Sequence, residues 1–500
     1  MKYNFMFKKI SVRTIAAVLA LTAAASCGKD NITPETPDNG GNGGDEENTG
    51  RPEVVDETPF LPAPQLRGAW MATVWGIDWP SGDYSQSGQK KLYTDYLDLY
   101  KSLGINAVFF QVRGMADAFH ESSYEPWSRY ITGSLGKNPG YDILRFLIDE
   151  AHKRGIKFHA WMNPYRVATT SYFSDGLNSM IPESMVKKYS GIWVYNPALP
   201  EVRQRIADIV KELISKYNVD GIHFDDYFYP SGSAIGSGLD DQEDYNKYGC
   251  GYSNIQDFRR GNIFEMVKLV RNTILSVNPE IAFTIGPQGN YDNNYNSQYI
   301  DVAKVCSAGL IDAVIPQLYW STKAATDYYT PRLNWWAQNI SSTPLMIGHT
   351  LSGYSTDEAG KGWSSGTEFE TQCTLAAAKN VAGHLIYNSS TLKKNPKSVQ
   401  TNIKNAFKEK VLIPHLGGTS ADAPVPAPEN VVVSGGELHW DKVDAAAYYA
   451  VYLSNGDKRT ATLLDVTTEL SYPLPDQGNY FVTALNEHNA QSAASGVLKY

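Results

Sequence analysis

Residues 219–230 read VDGIHFDDYFYP, a strand that runs out into carboxylates and aromatic rings. Val219, Ile222 and Phe224 suit a pleated, covered surface, and Asp225 and Asp226 follow where the strand should stop. Alternation puts Ile222 and Phe224 on one face and His223 and Asp225 on the other. The apolar face fits packing against helices, so His223 and Asp225 are expected to point into a strand-lined interior. Asp226 is expected to face away, orienting its neighbour or reaching substrate from the rim. Adjacent aspartates repel each other and lose hydration, which favours a functional site over a helix-capping turn, the competing reading.

Working outward, short apolar strands alternate with amphipathic helices. Strands are predicted at 66–74, 107–113, 157–164, 219–226, 281–288, 312–319, 344–349 and 381–388. Helices are predicted at 89–103, 141–154, 200–217, 255–277, 297–308, 328–340, 369–379 and 396–408. Pro200 suits a first helical turn and Gly155 a C-terminal cap. This count predicts a (β/α)₈ TIM barrel over residues 65–416. A doubly wound open sheet competes with it, but no Gly-rich phosphate turn follows the first strand.

A barrel carries its chemistry at the C-terminal strand ends. Those ends are polar here: Gln111 and Arg113, then Asn163, Tyr165 and Arg166, then Asp225 and Asp226. Gln288, Gln317, Tyr319, Trp320, His349 and Asn388 complete the set. Long loops extend the same face. The first carries Trp75, Asp78 and Trp79; the second carries Asp117, His120, Glu121, Glu125, Trp127 and Tyr130. Asp240, Asp241, Glu243 and Asp244 of the fourth lack calcium-loop spacing and read as a solvated acidic turn.

At the N-terminus Lys8, Lys9 and Arg13 precede an apolar run, 15–25, too short to span a bilayer. The run ends AAAS before Cys27, which resembles a bacterial lipoprotein signal (1–27) with Cys27 lipidated; an ordinary secretory signal is the alternative. Residues 28–64 are rich in Gly, Pro, Asn, Asp, Glu and Thr, the composition of a disordered tether. The implied address is the bacterial envelope, lipid-anchored at the outer membrane on its periplasmic face or at the cell surface, with that lipid as the only membrane contact. A linker, 417–427 (GGTSADAPVPA), precedes short alternating strands over 428–500. Net charge is −9 with no basic run beyond the leader, so nucleic acid is not a partner. Cys250, Cys306 and Cys373 cannot all pair internally and none has metal-ligand spacing. No cofactor or metal is predicted, and the sequence sets no oligomeric state.

Five segments together resemble the glycosyl-hydrolase-like family 10 of bacterial envelope proteins. They are RGAWMATVWGIDWP, FFQVRGMADAFHESSYEPWSRYITG, YDILRFLIDEAHKRGIKFHAWMNPYRV, VDGIHFDDYFYP and IPQLYW, in order from Arg67 to Trp320. The resemblance implies hydrolysis of glycosidic bonds, with bacterial cell-wall glycan as the expected substrate. The fourth segment is also similar to the DGxDxDxE strand of family 18 chitinases, matched by Asp220, Gly221, His223, Asp225 and Tyr227. Tyrosine replaces the catalytic glutamate, so substrate-assisted chemistry does not carry over. Residues 428–500 resemble a fibronectin type III domain, a small immunoglobulin-like β-sandwich, through Pro428, Trp440, Tyr452 and Tyr480.

Glycoside hydrolysis calls for two carboxyl groups across the scissile bond. Asp225 is the first candidate, with Asp226 coupled to it by repulsion that raises one pKa. Asp117 is the candidate partner, with Glu121 and Glu125 behind it. Arg113 would hold Asp117 ionised, pair with it as a plain salt bridge, or clamp a substrate carboxylate. Expected substrate-binding residues are Gln111, Arg113, Trp75, Asp78, Trp79, Asn163, Tyr165, Arg166, His223, Gln317, Tyr319, Trp320 and His349. Two further readings remain open: a glycan-binding scaffold with a degenerate site, and metal-dependent hydrolysis using His223, Asp225 and Asp226.

Overall fold

The structure is a computed structural model describing Val54–Val55 and residues 61–500, apart from 237, 357–361, 364, 419–424 and 457–459. The leader, Cys27, most of the 28–64 segment and half of the linker lie outside the described residues. Among those described, no helix is long and apolar enough to cross a membrane.

Eight parallel strands form the barrel: β1 Leu66–Met71, β2 Ala107–Arg113, β3 Lys157–Met162, β4 Gly221–Phe224, β5 Ala282–Ile285, β6 Ala313–Val314, β7 Met346–Thr350 and β8 Gly383–Tyr387. Their order is β6-β5-β4-β3-β2-β1-β8-β7, and parallel bridges Val314–Leu345 and Gln317–Gly348 close the ring. The expected barrel is therefore what the chain builds.

The helices α1 Gln86–Ser102, α2 Ile143–His152, α3 Pro200–Lys216, α4 Ile255–Val277, α5 Val302–Ser307, α6 Tyr329–Asn339, α7 Glu368–Ala377 and α8 Val399–Ala406 connect them. Local chemistry sets their starts. Ser85 caps α1, Asp142 caps α2 and Asn254 caps α4, each side chain accepting from a backbone N–H one turn on. Such a cap contributes about 1 kcal/mol. In α3, Pro200 opens the first turn, and Val202, Ile206, Ile209, Val210 and Leu213 bury one stripe against the sheet.

Strand alternation divides the core. Ala69, Met71, Val108, Phe110, Phe158, Ala160, Ile222 and Phe224 face the helices in one large cluster. Trp70, Ala72, Phe109, Trp161, Ile315, Met346 and Leu385 fill the barrel itself. Trp70 fits inside because Gly348 faces it; a Cβ there would fall 2.8 Å from the indole ring.

The third loop is more ordered than the sequence indicated. Arg166–Thr169, Ile192–Tyr195 and Val186–Lys188 pair as an antiparallel ribbon beside the mouth.

After the barrel come β9 Val432–Ser434, β10 Glu437–His439, β11 Tyr448–Ser454, β12 Ala461–Thr467, β13 Ser471–Pro473, β14 Asn479–Leu485 and β15 Val497–Lys499. They make two antiparallel sheets over a core of Leu438, Trp440, Tyr449, Val451, Tyr480 and Val482. Tyr480 Oη donates to Asp476 O at 2.7 Å, the hydrogen bond of a tyrosine corner. Leu412, which follows the barrel, packs on Tyr452, Leu463 and Phe481.

Ahead of the barrel, Val54–Val55 pair antiparallel with Val497 and Leu498, extending the C-terminal sheet.

Candidate active site

The C-terminal strand ends enclose an open cleft of about 250 Å³. Its floor and walls include Trp70, Gln111, Trp161, Arg166, Asp225, Asp226, Gln317, Tyr319 and Tyr387. Trp75 and Tyr227 form the rim, 55% and 43% exposed. Trp75 holds a left-handed backbone, φ 57°, which is unusual for a bulky residue. Among the described residues, Asp225 and Asp226 are the only carboxylates lining this cleft.

Asp225 is held from below. Trp161 Nε1 donates to its Oδ2 at 3.0 Å, and Asn163 Nδ2 donates to the same oxygen. Asn163 is fixed in turn, its Oδ1 accepting from Gln111 Nε2 at 3.0 Å and Arg166 Nη1 at 3.2 Å. Gln111 spends its own oxygen on the amides of Thr73 and Val74, tying the first loop to the second strand end.

Asp226 lines the same cleft, contrary to the expectation that it faces away. Strand pairing stops at Phe224, so the two-residue alternation no longer governs the next positions. Gln317 Nε2 donates to Asp226 Oδ1 at 3.1 Å.

Burial pushes the Asp225 carboxyl up to about 7, the charge of Asp226 adds to the rise, and Arg166 opposes it. Loss of hydration raises Asp226 as well, offset by Gln317 and Arg166. The Arg166 guanidinium also stacks 3.8 Å over the Tyr227 ring. One cation thus faces two carboxyls, an arrangement that favours a single shared proton near neutral pH.

Several predicted site residues lie elsewhere. Asp117 is sealed under the second loop, accepting from Met115 N at 3.1 Å and Tyr172 Oη at 2.8 Å. Arg113 does not pair with it. The β2–β3 register shifts between Gln111 and Arg113, and the displaced guanidinium binds Glu125 through Nε at 2.7 Å and Nη2 at 2.6 Å.

Asp78 is buried as a brace, accepting from the backbone of Ala72 and Ser390 at 2.7 Å each. Trp79 packs on Phe110 and Phe119, and Tyr165 is buried in the same core; both are too deep to meet a ligand. His223 does point inward but lies under the floor, between Trp70 Nε1 at 3.1 Å and Thr284 Oγ1 at 2.9 Å.

His349 is turned outward by alternation, since Gly348 takes the inward place, and it meets Gln372 and His384. Trp320 is covered by the Arg332 guanidinium, 4.1 Å over its ring. Asn163 does not line the cleft itself and acts through Gln111, Arg166 and Asp225, which do. Of the predicted set, Asp225, Asp226, Gln111, Trp75, Arg166, Gln317 and Tyr319 share it.

Sequence reasoning missed Trp70, Trp161 and Tyr387 as cleft residues. All lie on the inward faces of β1, β3 and β8, a position that alternation from the polar strand ends would have exposed. Tyr319 and Tyr387 stack with centroids 5.7 Å apart, giving one wall a flat aromatic face.

Comparison with known proteins follows the same lines. The "Glycosyl hydrolase YngK" of Bacillus subtilis is 32% identical over 494 residues, 88% of this chain and 95% of that protein. The "Glycosyl hydrolase DigH" of Escherichia coli K12 is 35% identical over 391 residues, 71% of this chain and 86% of that protein. Among solved structures, the PgaB (BpsB) glycoside hydrolase domain from Bordetella bronchiseptica aligns at a TM-score of 0.48 and 11% identity, over 70% of this chain and 99% of that one. A family profile described as "Glycosyl hydrolase-like 10" matches residues 65–364, from the start of β1 past the end of β7. By that match and by both bacterial relatives, the chain belongs to the glycosyl hydrolase-like 10 family.

Proposed function

We propose that this protein hydrolyses glycosidic bonds in the barrel mouth, with Asp225 and Asp226 as its catalytic carboxyls. The observation that carries this reading is the pair itself: two consecutive carboxyls on one cleft, facing a single cation and ringed by aromatic faces. With its pKa raised to about 7, Asp225 carries the proton that a departing sugar oxygen requires. Asp226, on the solvent side of the pair, is then the ionised partner that meets the developing positive charge or activates water. Trp75, Tyr227, Tyr319 and Tyr387 offer stacking faces, and the cleft volume suits one sugar ring projecting from a longer chain.

The substrate in this reading is a bacterial or host glycan, with peptidoglycan-derived strands the first expected. Its setting is the cell envelope, reached through lipidation of Cys27. Residues 428–500 serve as a fibronectin type III-like accessory module, a reading supported by the tyrosine corner at Tyr480.

The test is incubation with peptide-free glycan strands, chitooligosaccharides and plant polysaccharides, reading new reducing ends by mass. Cleavage of one class, lost in Asp225→Asn with binding retained, supports the reading. Binding without cleavage across the panel replaces it with a glycan-binding scaffold, and loss of activity on chelation transfers it to metal chemistry.

A further inference from the structure

At the pole opposite the catalytic cleft, three distant segments bring a carboxylate and two imidazoles together. Glu280 comes from the turn before β5, His415 from the segment leaving the barrel, and His488 from the loop between β14 and β15. Glu280 Oε2 lies 3.1 Å from His415 Nε2 and 3.5 Å from His488 Nε2. The two rings are 4.7 Å apart, tilted by 42°. All three ligand atoms lie within 4.8 Å of one another, on a cavity of about 420 Å³.

Hydrogen bonding does not explain this convergence. Glu280 Oε2 and His415 Nε2 are both shielded from solvent, yet neither has a hydrogen-bond partner, even though they face each other. Zinc bonds of about 2.0–2.2 Å at tetrahedral angles set their donor atoms about 3.3–3.6 Å apart; the 3.5 Å contact falls within that range and the 3.1 Å contact just short of it. The hollow beside them is kept clear by backbone. Gly418, at φ +83°, would with a Cβ come 2.9 Å from His415 Nε2 and 3.3 Å from Glu280 Oε2. At the exposed rim, Glu487 Oε1 lies 3.4 Å from His488 Nε2.

We propose that Glu280, His415 and His488 form a binding site for a divalent transition metal of the zinc class, joining the C-terminal module to the base of the barrel. Two imidazoles and a carboxylate are a borderline-soft donor set, which suits zinc better than calcium or magnesium. The ligands come from the barrel, the connecting segment and the module, so binding would hold all three together. A second cluster, His349, Cys373 and His384, is a less suitable holder. Its imidazoles already bond each other at 3.0 Å, and His349 bonds Gln372 at 2.7 Å.

The test uses the full chain, stripped of metal and titrated with Zn²⁺ alone against a chromogenic chelator, with Co²⁺ as a spectroscopic substitute. Expected are one Zn²⁺ per chain and affinity about 100-fold or more weaker in His415→Gln and in His488→Gln, since even outer partners are worth 10–100-fold. Cys373→Ser should leave affinity unchanged, and wild-type Co²⁺ protein should show tetrahedral visible bands without thiolate charge transfer. Absence of stoichiometric zinc in the wild type overturns the proposal, as does zinc retained by both histidine variants. A thiolate band, or zinc lost in Cys373→Ser, relocates the metal to the other cluster. The wild-type cobalt spectrum decides the matter even if a histidine variant fails to fold.

Discussion

Two acidic groups lie on the same face of this barrel and have opposite chemistry. Under the second loop, Glu125 is gripped at both oxygens by Arg113, and Asp117 is covered by backbone and a tyrosine hydroxyl. Across the mouth, Asp225 and Asp226 stand together on an open cleft that one guanidinium, Arg166, also lines. The first set is sealed, Glu125 by a guanidinium and Asp117 by neutral donors, so it holds a loop. The second is short of cations and reachable, so its free energy is tied to protonation, the condition for acid–base work. Burial alone therefore does not identify a catalytic carboxylate; partner and access do.

The largest effect should come from Asp225→Asn, which we expect to lower kcat by about 10²–10⁴-fold with glycan binding retained. Its stability should move the other way. Asp225 titrates higher folded than unfolded, so its contribution is full below the unfolded pKa of about 4 and lost as pH rises through about 7. Thermal melts should show Asp225→Asn gaining on the wild type at pH 8, with the gain vanishing toward pH 4.

Glu125→Ala inverts that pattern. Leaving Arg113 buried and unpaired should lower stability by about 3–5 kcal/mol in denaturant titrations, with turnover per folded molecule little changed. Arg166→Gln should sharpen the contrast from the cleft side. It removes the one cation opposing both raised pKa values, so the alkaline fall of kcat/KM should move up by roughly one pH unit. Asp117→Asn is expected to do least, about 1 kcal/mol in stability from a weakened contact and no displacement of the pH profile.

Much of this was legible in the sequence, for a plain reason. Period-two alternation in β1 to β4 tells which side chains face helices, and the pattern VDGIHFDD by itself aims Asp225 inward. The failures share a cause: each sits where a strand stops obeying that period. Asp226 joins the cleft because β4 ends one residue before Asp225, and Arg113 leaves it because the β2 register shifts. His349 was misplaced by weighing its polarity above its phase, since Gly348 occupies the inward position. Trp161 and Tyr387 carried the right phase but no polar signature. The Glu280, His415 and His488 cluster has no spacing to read, because its members come from three separate segments.

The pH profile of glycan cleavage, taken for the wild type and for Asp226→Asn, tests the central claim most directly. With the pair sharing a proton, wild-type kcat/KM should fall on the alkaline side near pH 7. The residual activity of Asp226→Asn should fall at distinctly lower pH, since the neighbouring charge that helps raise Asp225 is gone. A wild-type profile flat through pH 8, or one that Asp226→Asn leaves in place, would contradict a coupled acid at the barrel mouth.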